Sequence, residues 1–265
     1  MGIQQLVLGL VLATMVFSVA LELRLDDFRR VAQAPKAVVC GLIPQFILLP
    51  VGTWLATMAL DLPSNIEAAM ILVASCPGGS LSNVVTHFGR GNTALSVSIS
   101  AVASVIALFA TPFNFSWMVA TNPNTAAWLQ TLAIDPAGIW WSLLLLLAVP
   151  MALGLAASHR LPELTARIRK PLGNFAVAAL VLFIVAGLIK ERQLLTLGLL
   201  PMVLIVVLHN ASGLAFGWTT AWVMRVSERD RRAVVIEGGM QNSGLALGII
   251  KVGWHGNYCA SELAT

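Results

Sequence analysis

The chain has 265 residues, of which 58% are hydrophobic and only 11% are charged, and its net charge is +4. Soluble globular domains carry roughly 25% charged residues, so this composition excludes an ordinary soluble protein and indicates a membrane protein. Because the cations lie in short segments between apolar stretches, they do not indicate nucleic-acid binding.

A membrane-spanning helix needs about 20 apolar residues. On this criterion the sequence predicts an all-α integral membrane protein with eight spans, at about 3–23, 37–60, 65–88, 92–113, 137–158, 172–189, 194–224 and 232–251. Most of the 16 Lys and Arg residues follow odd-numbered spans, and the loops after spans 2 and 4 hold none. Basic loops are cytoplasmic, so the pattern predicts an N-terminus outside the membrane. The short loops are typical of a bacterial inner-membrane protein.

Two of these spans contain similar breaks. Span 3 includes Cys76–Asn83 (CPGGSLSN) and span 8 includes Glu237–Gly244 (EGGMQNSG), each with a Gly-Gly pair, two further residues and a Ser/Asn pair. Unpaired backbone groups are costly in hydrocarbon, so a helix opens there only where it lines a protected site. Paired broken spans in two halves of a chain are typical of secondary transporters. We expect breaks at about 77–79 and 237–239 that cross near mid-membrane.

The predicted orientation makes the two broken spans antiparallel, which indicates an inverted repeat. If the broken span is the fourth helix of each unit, spans 1–4 lack a first helix and spans 5–8 lack a last one. Residues 252–265 are then a tail, and the last helix is missing.

Glu237 lies within span 8 beside its break, and no other span has an internal Lys or Arg to neutralise it. A buried carboxylate is costly unless it is paired, and Na⁺ prefers oxygen ligands of the kind that broken helices supply. The alternative is a carboxylate that binds a proton and no metal. Further candidate oxygens occur on nearby spans, at Gln45, Ser82, Asn83, Ser96, Ser100 and Gln241. The new helix N-termini near Ser80 and Met240 favour an anionic substrate.

These segments resemble the bile acid:sodium symporter family, above all in Cys76–Ser100 and Glu237–Gly248. The resemblance implies a core domain and a panel domain, with the two broken helices crossing in the core. The implied panel helices are residues 1–30 and 137–189. The implied core repeats are residues 37–113, with the broken helix 65–88, and residues 194–251, with the broken helix 232–251.

The resemblance also implies sodium-coupled symport of an organic anion, bile acid-like or a small carboxylate, by alternating access with two Na⁺ sites. The first site would comprise Ser82, Asn83, Ser96, Ser100 and Glu237. The second would comprise Gln45, Glu237, Gly238, Met240 and Gln241, with Gly238 and Met240 acting through their carbonyls. Ser80 and Asn242 match substrate-contacting positions.

Three other functions compete with sodium symport. A proton-coupled or Na⁺-independent carrier would use Glu237 without the surrounding neutral oxygens. A channel would share the polar breaks but need no isolated carboxylate. An intramembrane serine protease would need a serine and a histidine together, and His209 and Ser212, spaced i, i+3, are the candidate pair. A more ordinary role for His209 and its neighbour Asn210 is in helix–helix hydrogen bonds.

Overall fold

The computed structural model describes residues 3–23, 31–32, 35–79, 81–131, 136–190, 199–243 and 245–246. Within these residues the chain is helical, and the β-structure is limited to one isolated bridge. The all-α prediction is confirmed. The helices of the described part are, in chain order, α1 (Ile3–Glu22), α2 (Pro35–Leu60), α3 (Ser64–Ser75), α4 (Leu81–Phe88), α5 (Thr93–Thr121), α6 (Pro123–Thr131), α7 (Pro136–Arg160), α8 (Pro162–Lys190), α9 (Leu199–Val223) and α10 (Glu228–Gly239).

Several helices have the length and apolarity of membrane spans. In the described residues four meet both criteria, namely Pro35–Leu60, Thr93–Thr121, Trp140–Arg160 and Pro201–Val223. They coincide with predicted spans 2, 4, 5 and 7. Helix α1 coincides with predicted span 1, and α8 contains predicted span 6.

Two helices extend beyond the predicted spans and pass through prolines. Span 4 was expected to end at residue 113, but α5 continues past Pro112 to Thr121. Polar side chains beyond the proline bond to neighbouring helices, and the Asn114 Nδ2 donates to the Phe46 carbonyl at 3.0 Å. Likewise α8 begins ten residues before predicted span 6 and passes through Pro171. A proline removes only one ladder hydrogen bond, which tertiary packing can offset.

Helix α2 contains a π-helical turn at Pro44–Leu48. Pro44 has no N–H to donate to the α-helical ladder, and such wider turns are frequent at functional sites. The turn holds Gln45 fully buried in the protein interior.

The helix break in span 3 lies where the sequence predicts it. Helix α3 ends at Ser75 and α4 begins at Leu81, so the break includes the expected residues 77–79. The break in span 8 comes later than predicted. The helical ladder runs through Gly239, and the Met240 N–H still donates to the Ile236 carbonyl at 3.0 Å. The break therefore follows the Gly-Gly pair, and residues 247–251 of this span lie outside the described residues.

The helices pack in two groups. Helices α2, α4, α5 and α9 surround α10, with a buried cluster that includes Val38, Ile99 and Val234. Helices α7 and α8 pack on α1, and α7 also packs on α5. A second buried cluster, which includes Val16 and Leu147, joins α1 and α7 to α3 and α5.

Glycines allow α9 and α10 to approach closely. A Cβ on Gly213 would lie 2.6 Å from the Gly238 carbonyl oxygen, and one on Gly217 would lie 2.9 Å from the Val235 Cα. Small residues at such interfaces are the usual means of helix association in membranes. This close packing fixes the end of α10, where Glu237 lies.

Candidate functional site

The two helix breaks meet and pair through their backbones. Gly78 and Gln241 form an antiparallel bridge. The Gly79 N–H donates to the Met240 carbonyl at 3.3 Å, and the Asn242 N–H donates to the Pro77 carbonyl at 2.9 Å. This pairing satisfies backbone groups that would otherwise be costly in a membrane interior. The two segments expected to cross therefore lie against each other, and the crossing places the end of α10 beside α4 and α5.

The Glu237 carboxylate is fully buried and faces three serine hydroxyls. Its Oε1 atom accepts from the Ser82 Oγ at 2.7 Å, the Ser96 Oγ at 2.6 Å and the Ser100 Oγ at 2.9 Å. Ser96 and Ser100 are one helical turn apart on α5, so both face the same point. None of the Lys or Arg side chains in the described residues forms an ion pair with Glu237.

These hydroxyls have more acceptors than they have protons. The Ser82 Oγ also lies 2.7 Å from the Gly79 carbonyl oxygen, and Asn83 Oδ1 lies 2.8 Å from the Ser96 Oγ and 3.4 Å from the Ser100 Oγ. A hydroxyl has a single proton, so each serine can satisfy only one of its two acceptors at a time. The arrangement is rich in oxygen lone pairs and poor in protons, which suits a bound cation.

A second group of oxygens lies on the other side of the same carboxylate. The Gln45 Nε2 donates to the Glu237 carbonyl at 3.1 Å and lies 3.5 Å from Glu237 Oε2. The Oε1 atoms of Gln45 and Gln241 are buried, and neither has a hydrogen-bond partner among the described residues. Buried acceptors without a partner are rare in folded proteins, and each calls for a ligand or water.

Gly78 packs closely against these groups. A Cβ at Gly78 would lie 2.6 Å from Gln45 Nε2, 2.7 Å from Glu237 Oε2 and 3.5 Å from the Met240 carbonyl oxygen. Three of the residues predicted for the second sodium site thus lie together around Gly78. The oxygen chemistry of the predicted residues fits a small hard cation.

The remaining predicted residues differ in the hydrogen bonds that their oxygen atoms already accept. The Gly238 carbonyl accepts from Gln241 Nε2 at 3.1 Å, and the Met240 carbonyl accepts from Gly79. A carbonyl oxygen has two lone pairs, so each retains one. Asn242 Oδ1 accepts from the Leu245 N–H at 3.0 Å. Ser80 lies outside the described residues.

A cavity of about 600 Å³ lies between the crossing and the helices α1, α5, α7 and α8. Ligand pockets commonly have volumes of roughly 300–1,000 Å³, so a small organic molecule would fit. The crossing contributes Asn83, Gln241 and Asn242 to its wall. Helix α8 contributes Arg169 and Lys170, which the sequence analysis treated only as loop charges.

The serine and histidine of the protease alternative do not form a catalytic pair. The Ser212 Oγ donates to the His209 carbonyl at 2.7 Å, and the His209 Nε2 bonds instead to the Thr53 Oγ1 at 2.9 Å. Asn210, which the sequence analysis assigned to helix–helix contacts, donates through Nδ2 to the Gly239 carbonyl and supports the end of α10. These polar groups join α9 to α2 and α10, as predicted.

Comparison with known proteins places the chain in a family. The profile described as the Sodium Bile acid symporter family matches residues 9–213. The Bacillus subtilis protein named uncharacterized sodium-dependent transporter YocS is 30% identical over 234 residues, which are 88% of this chain and 70% of that protein. The Oryza sativa protein named probable sodium/metabolite cotransporter BASS1, chloroplastic, is 32% identical over 237 residues, or 89% of this chain and 55% of that protein.

The human ileal sodium/bile acid cotransporter is 24% identical over 249 residues, or 93% of this chain and 69% of that protein. The chain thus spans only about half of the rice protein and about two thirds of the other two. All three names describe transporters and none describes an enzyme. With its apolar helices and its match to the family profile, the chain belongs to the sodium bile acid symporter family of multi-pass membrane transporters.

Proposed function

We propose that this protein couples the inward movement of Na⁺ to the uptake of an organic anion, with Glu237 as the carboxylate shared by two sodium sites. The observation that carries the proposal is the fully buried carboxylate with neutral oxygens on both of its sides. Charged groups in a membrane interior are costly unless they are paired, so an ion from solution is the natural partner.

In the first site, Na⁺ is coordinated by Glu237 Oε1 and by the side-chain oxygens of Ser82, Asn83, Ser96 and Ser100. Support comes from the three serine hydroxyls, which lie 2.6–2.9 Å from Glu237 Oε1, and from the distances of 2.8 and 3.4 Å that join two of them to Asn83 Oδ1. The shortage of hydroxyl protons supports it as well. A cation that enters this group is coordinated by the oxygen lone pairs that accept no hydrogen bond. The serine hydroxyls then turn their protons to other acceptors, such as the Gly79 carbonyl for Ser82.

In the second site, Na⁺ is coordinated by Glu237 Oε2, the Oε1 atoms of Gln45 and Gln241, and the carbonyls of Gly238 and Met240. The two glutamine oxygens that lack hydrogen-bond partners among the described residues support this assignment, because each of them could coordinate the cation. The C-terminal end of α10 adds a favourable dipole for positive charge.

The neutral oxygens favour Na⁺ over the proton-coupled alternative. A proton needs one acceptor, whereas Na⁺ has to replace several water oxygens of its hydration shell. Glu237 alone would serve a proton carrier, and the serine, asparagine and glutamine oxygens around it would have no role. The names of the relatives described above refer to sodium-dependent transport or sodium cotransport, which agrees with this preference.

The organic anion is bound in the cavity beside the crossing, where Asn242 lines the wall. In this proposal α2–α5, α9 and α10 belong to the core and α1, α7 and α8 to the panel, and movement of one against the other exposes the cavity to each side in turn. The two groups of packed helices support that division. We also propose a bacterial inner-membrane location, from the short loops, and an N-terminus outside the membrane, from the distribution of Lys and Arg.

Uptake by the full chain in proteoliposomes tests the proposed function. A panel of radiolabelled bile acids and small carboxylates is offered with external Na⁺, or with K⁺ in its place, and separately with a pH gradient alone. We expect saturable uptake of at least one acid that requires Na⁺ and that Glu237→Gln abolishes. Uptake driven by the pH gradient and indifferent to Na⁺ would support the proton carrier, and non-saturating flux would support a channel. Cleavage of a peptide reporter that Ser212→Ala removes would support the protease.

A further inference from the structure

The cavity beside the crossing has an asymmetric distribution of charge. Its wall includes Arg169 and Lys170 from α8, and no Asp or Glu side chain lines it within the described residues. The Glu237 side chain is completely buried and is not part of the cavity wall. The cavity is therefore electropositive at its α8 end.

The two cations are available to a ligand. Neither Arg169 nor Lys170 forms an ion pair or hydrogen bond with another described residue, and Arg169 is half-buried. They lie near Pro171, and the next turn of α8 contributes Gly173 and Asn174 to the same wall. Gly173 lies four residues after Arg169 and hence on the same helix face.

The rest of the wall away from the crossing is largely apolar. Val16, Val19 and Leu23 of the N-terminal segment and Leu147 and Met151 of α7 line it. A ligand that satisfies both parts has an anionic group at one end and an apolar body. An arginine can bind a carboxylate or sulfonate through two parallel hydrogen bonds, and a lysine adds a point charge.

We propose that Arg169 and Lys170 are the residues that recognise the anionic group of the transported substrate, with the apolar body lying against α1 and α7. The inference rests on the proposed function and adds to it a specificity determinant on the panel side, opposite the crossing. Na⁺ bound near Glu237 and the cation pair on α8 then attract the same anion from two sides of the cavity. A neutral analogue of the substrate lacks both attractions.

The competing explanation is that Arg169 and Lys170 serve only to orient α8 by the positive-inside rule. Arg167 provides the matched control, because it is a cation in the same segment of α8, exposed, and absent from the cavity wall. Orientation depends on the sum of such charges, whereas anion recognition depends on which of them faces the cavity.

The first test measures the charge of the cavity and needs no transport. Val97 lines the cavity and is not among the proposed ligands, so Val97→Cys places a thiol there. Cys40 and Cys76 are buried, and the parent chain without the new thiol gives the background rate. An anionic and a cationic methanethiosulfonate reagent are compared. We expect the anionic reagent to be favoured, and Arg169→Gln/Lys170→Gln to lower the ratio of the two rates roughly tenfold.

Arg167→Gln in the same Val97→Cys background should leave the ratio of rates unchanged. An unchanged ratio in the double variant, or an equal fall with Arg167→Gln, would overturn the inference. The outcome is independent of the proposed function, because labelling proceeds in a protein that transports nothing. Absence of Na⁺-dependent uptake of every acid by the unmodified chain would instead contradict the proposed function.

The second test measures recognition during uptake. For an acid that the unmodified chain transports, the double variant should raise the substrate concentration for half-maximal uptake at least about tenfold, since two charge-assisted bonds are lost. The Na⁺ concentration for half-maximal uptake at saturating substrate should stay within about twofold, because neither residue lies among the proposed sodium ligands. Equal loss of affinity for the acid and its uncharged amide would overturn the proposed contact with the anionic group.

Discussion

Replacing Gly78 by alanine places one methyl group against two of the residues proposed for the second sodium site, Gln45 and Glu237. The added Cβ would lie 2.6 Å from Gln45 Nε2 and 2.7 Å from Glu237 Oε2, both too close for ordinary contact. Backbone conformation does not forbid the substitution, because no glycine in the described residues has a positive φ. The effect is therefore local crowding of the two side chains.

The size of the effect follows from burial. Gln45 and Glu237 are both completely buried, so neither can move away without disturbing its neighbours. Overpacking of a well-packed interior costs about 1–3 kcal/mol. We expect most of this cost in the Na⁺-bound state, where both side chains must converge on the ion. At about 1.4 kcal/mol per tenfold change, the Na⁺ concentration for half-maximal uptake should rise roughly 5- to 140-fold.

Gly79→Ala is the matched control. Its Cβ would meet Asn242 at 3.9 Å, an ordinary van der Waals distance, and none of the proposed sodium ligands. Both variants are reconstituted and their uptake is measured against external Na⁺ at saturating substrate. If Gly78→Ala has the Na⁺ dependence of Gly79→Ala, Gln45 and Glu237 do not converge on the ion and the assignment of the second site is wrong.

Three further substitutions probe the two ion sites and the substrate contact. Ser96→Ala removes a hydroxyl that faces both Glu237 and Asn83 and should raise the half-maximal Na⁺ concentration about 5- to 10-fold, the equivalent of one hydrogen bond. Ser98→Ala is its control, because this buried hydroxyl bonds only within its own helix, to the Ala94 carbonyl at 2.9 Å, and Na⁺ dependence should not change. Gln241→Ala should weaken Na⁺ binding by a similar amount, and normal Na⁺ dependence in that variant would contradict the second site. Asn242→Ala should instead raise the half-maximal substrate concentration at saturating Na⁺, and a shift confined to Na⁺ would exclude a direct substrate contact.

The fold could be predicted from the sequence where periodicity and polarity act locally. The break at 77–79 follows from Pro77 and the adjacent glycines, and the structure has it there. The break in span 8 was placed at 237–239, too early, because a Gly-Gly pair does not reveal on which side of it the helix ends. The ladder through Met240 and the packing of α10 on Gly213 and Gly217 decide that point.

Less of the candidate site could be predicted from the sequence. Glu237 is conspicuous as an acidic residue in an apolar span, but the grouping of Ser82 with Ser96 depends on how α4 packs on α5. The π-helical turn that orients Gln45 leaves no local signal beyond Pro44. Arg169 was counted among loop charges, because an apolar-span criterion starts span 6 at residue 172, whereas α8 begins at Pro162 and presents this residue to the cavity.

Equilibrium binding of ²²Na⁺ to the purified protein tests the central claim most directly, because it requires neither a known substrate nor transport. The unmodified chain should bind ²²Na⁺ saturably, and Glu237→Gln, which keeps the shape and one oxygen but removes the charge, should lower the affinity at least about tenfold, since a charged ligand is lost from both sites. Ser98→Ala should bind as the unmodified chain does. Equal ²²Na⁺ binding by the unmodified chain and Glu237→Gln would contradict the assignment of Glu237 as the shared sodium ligand.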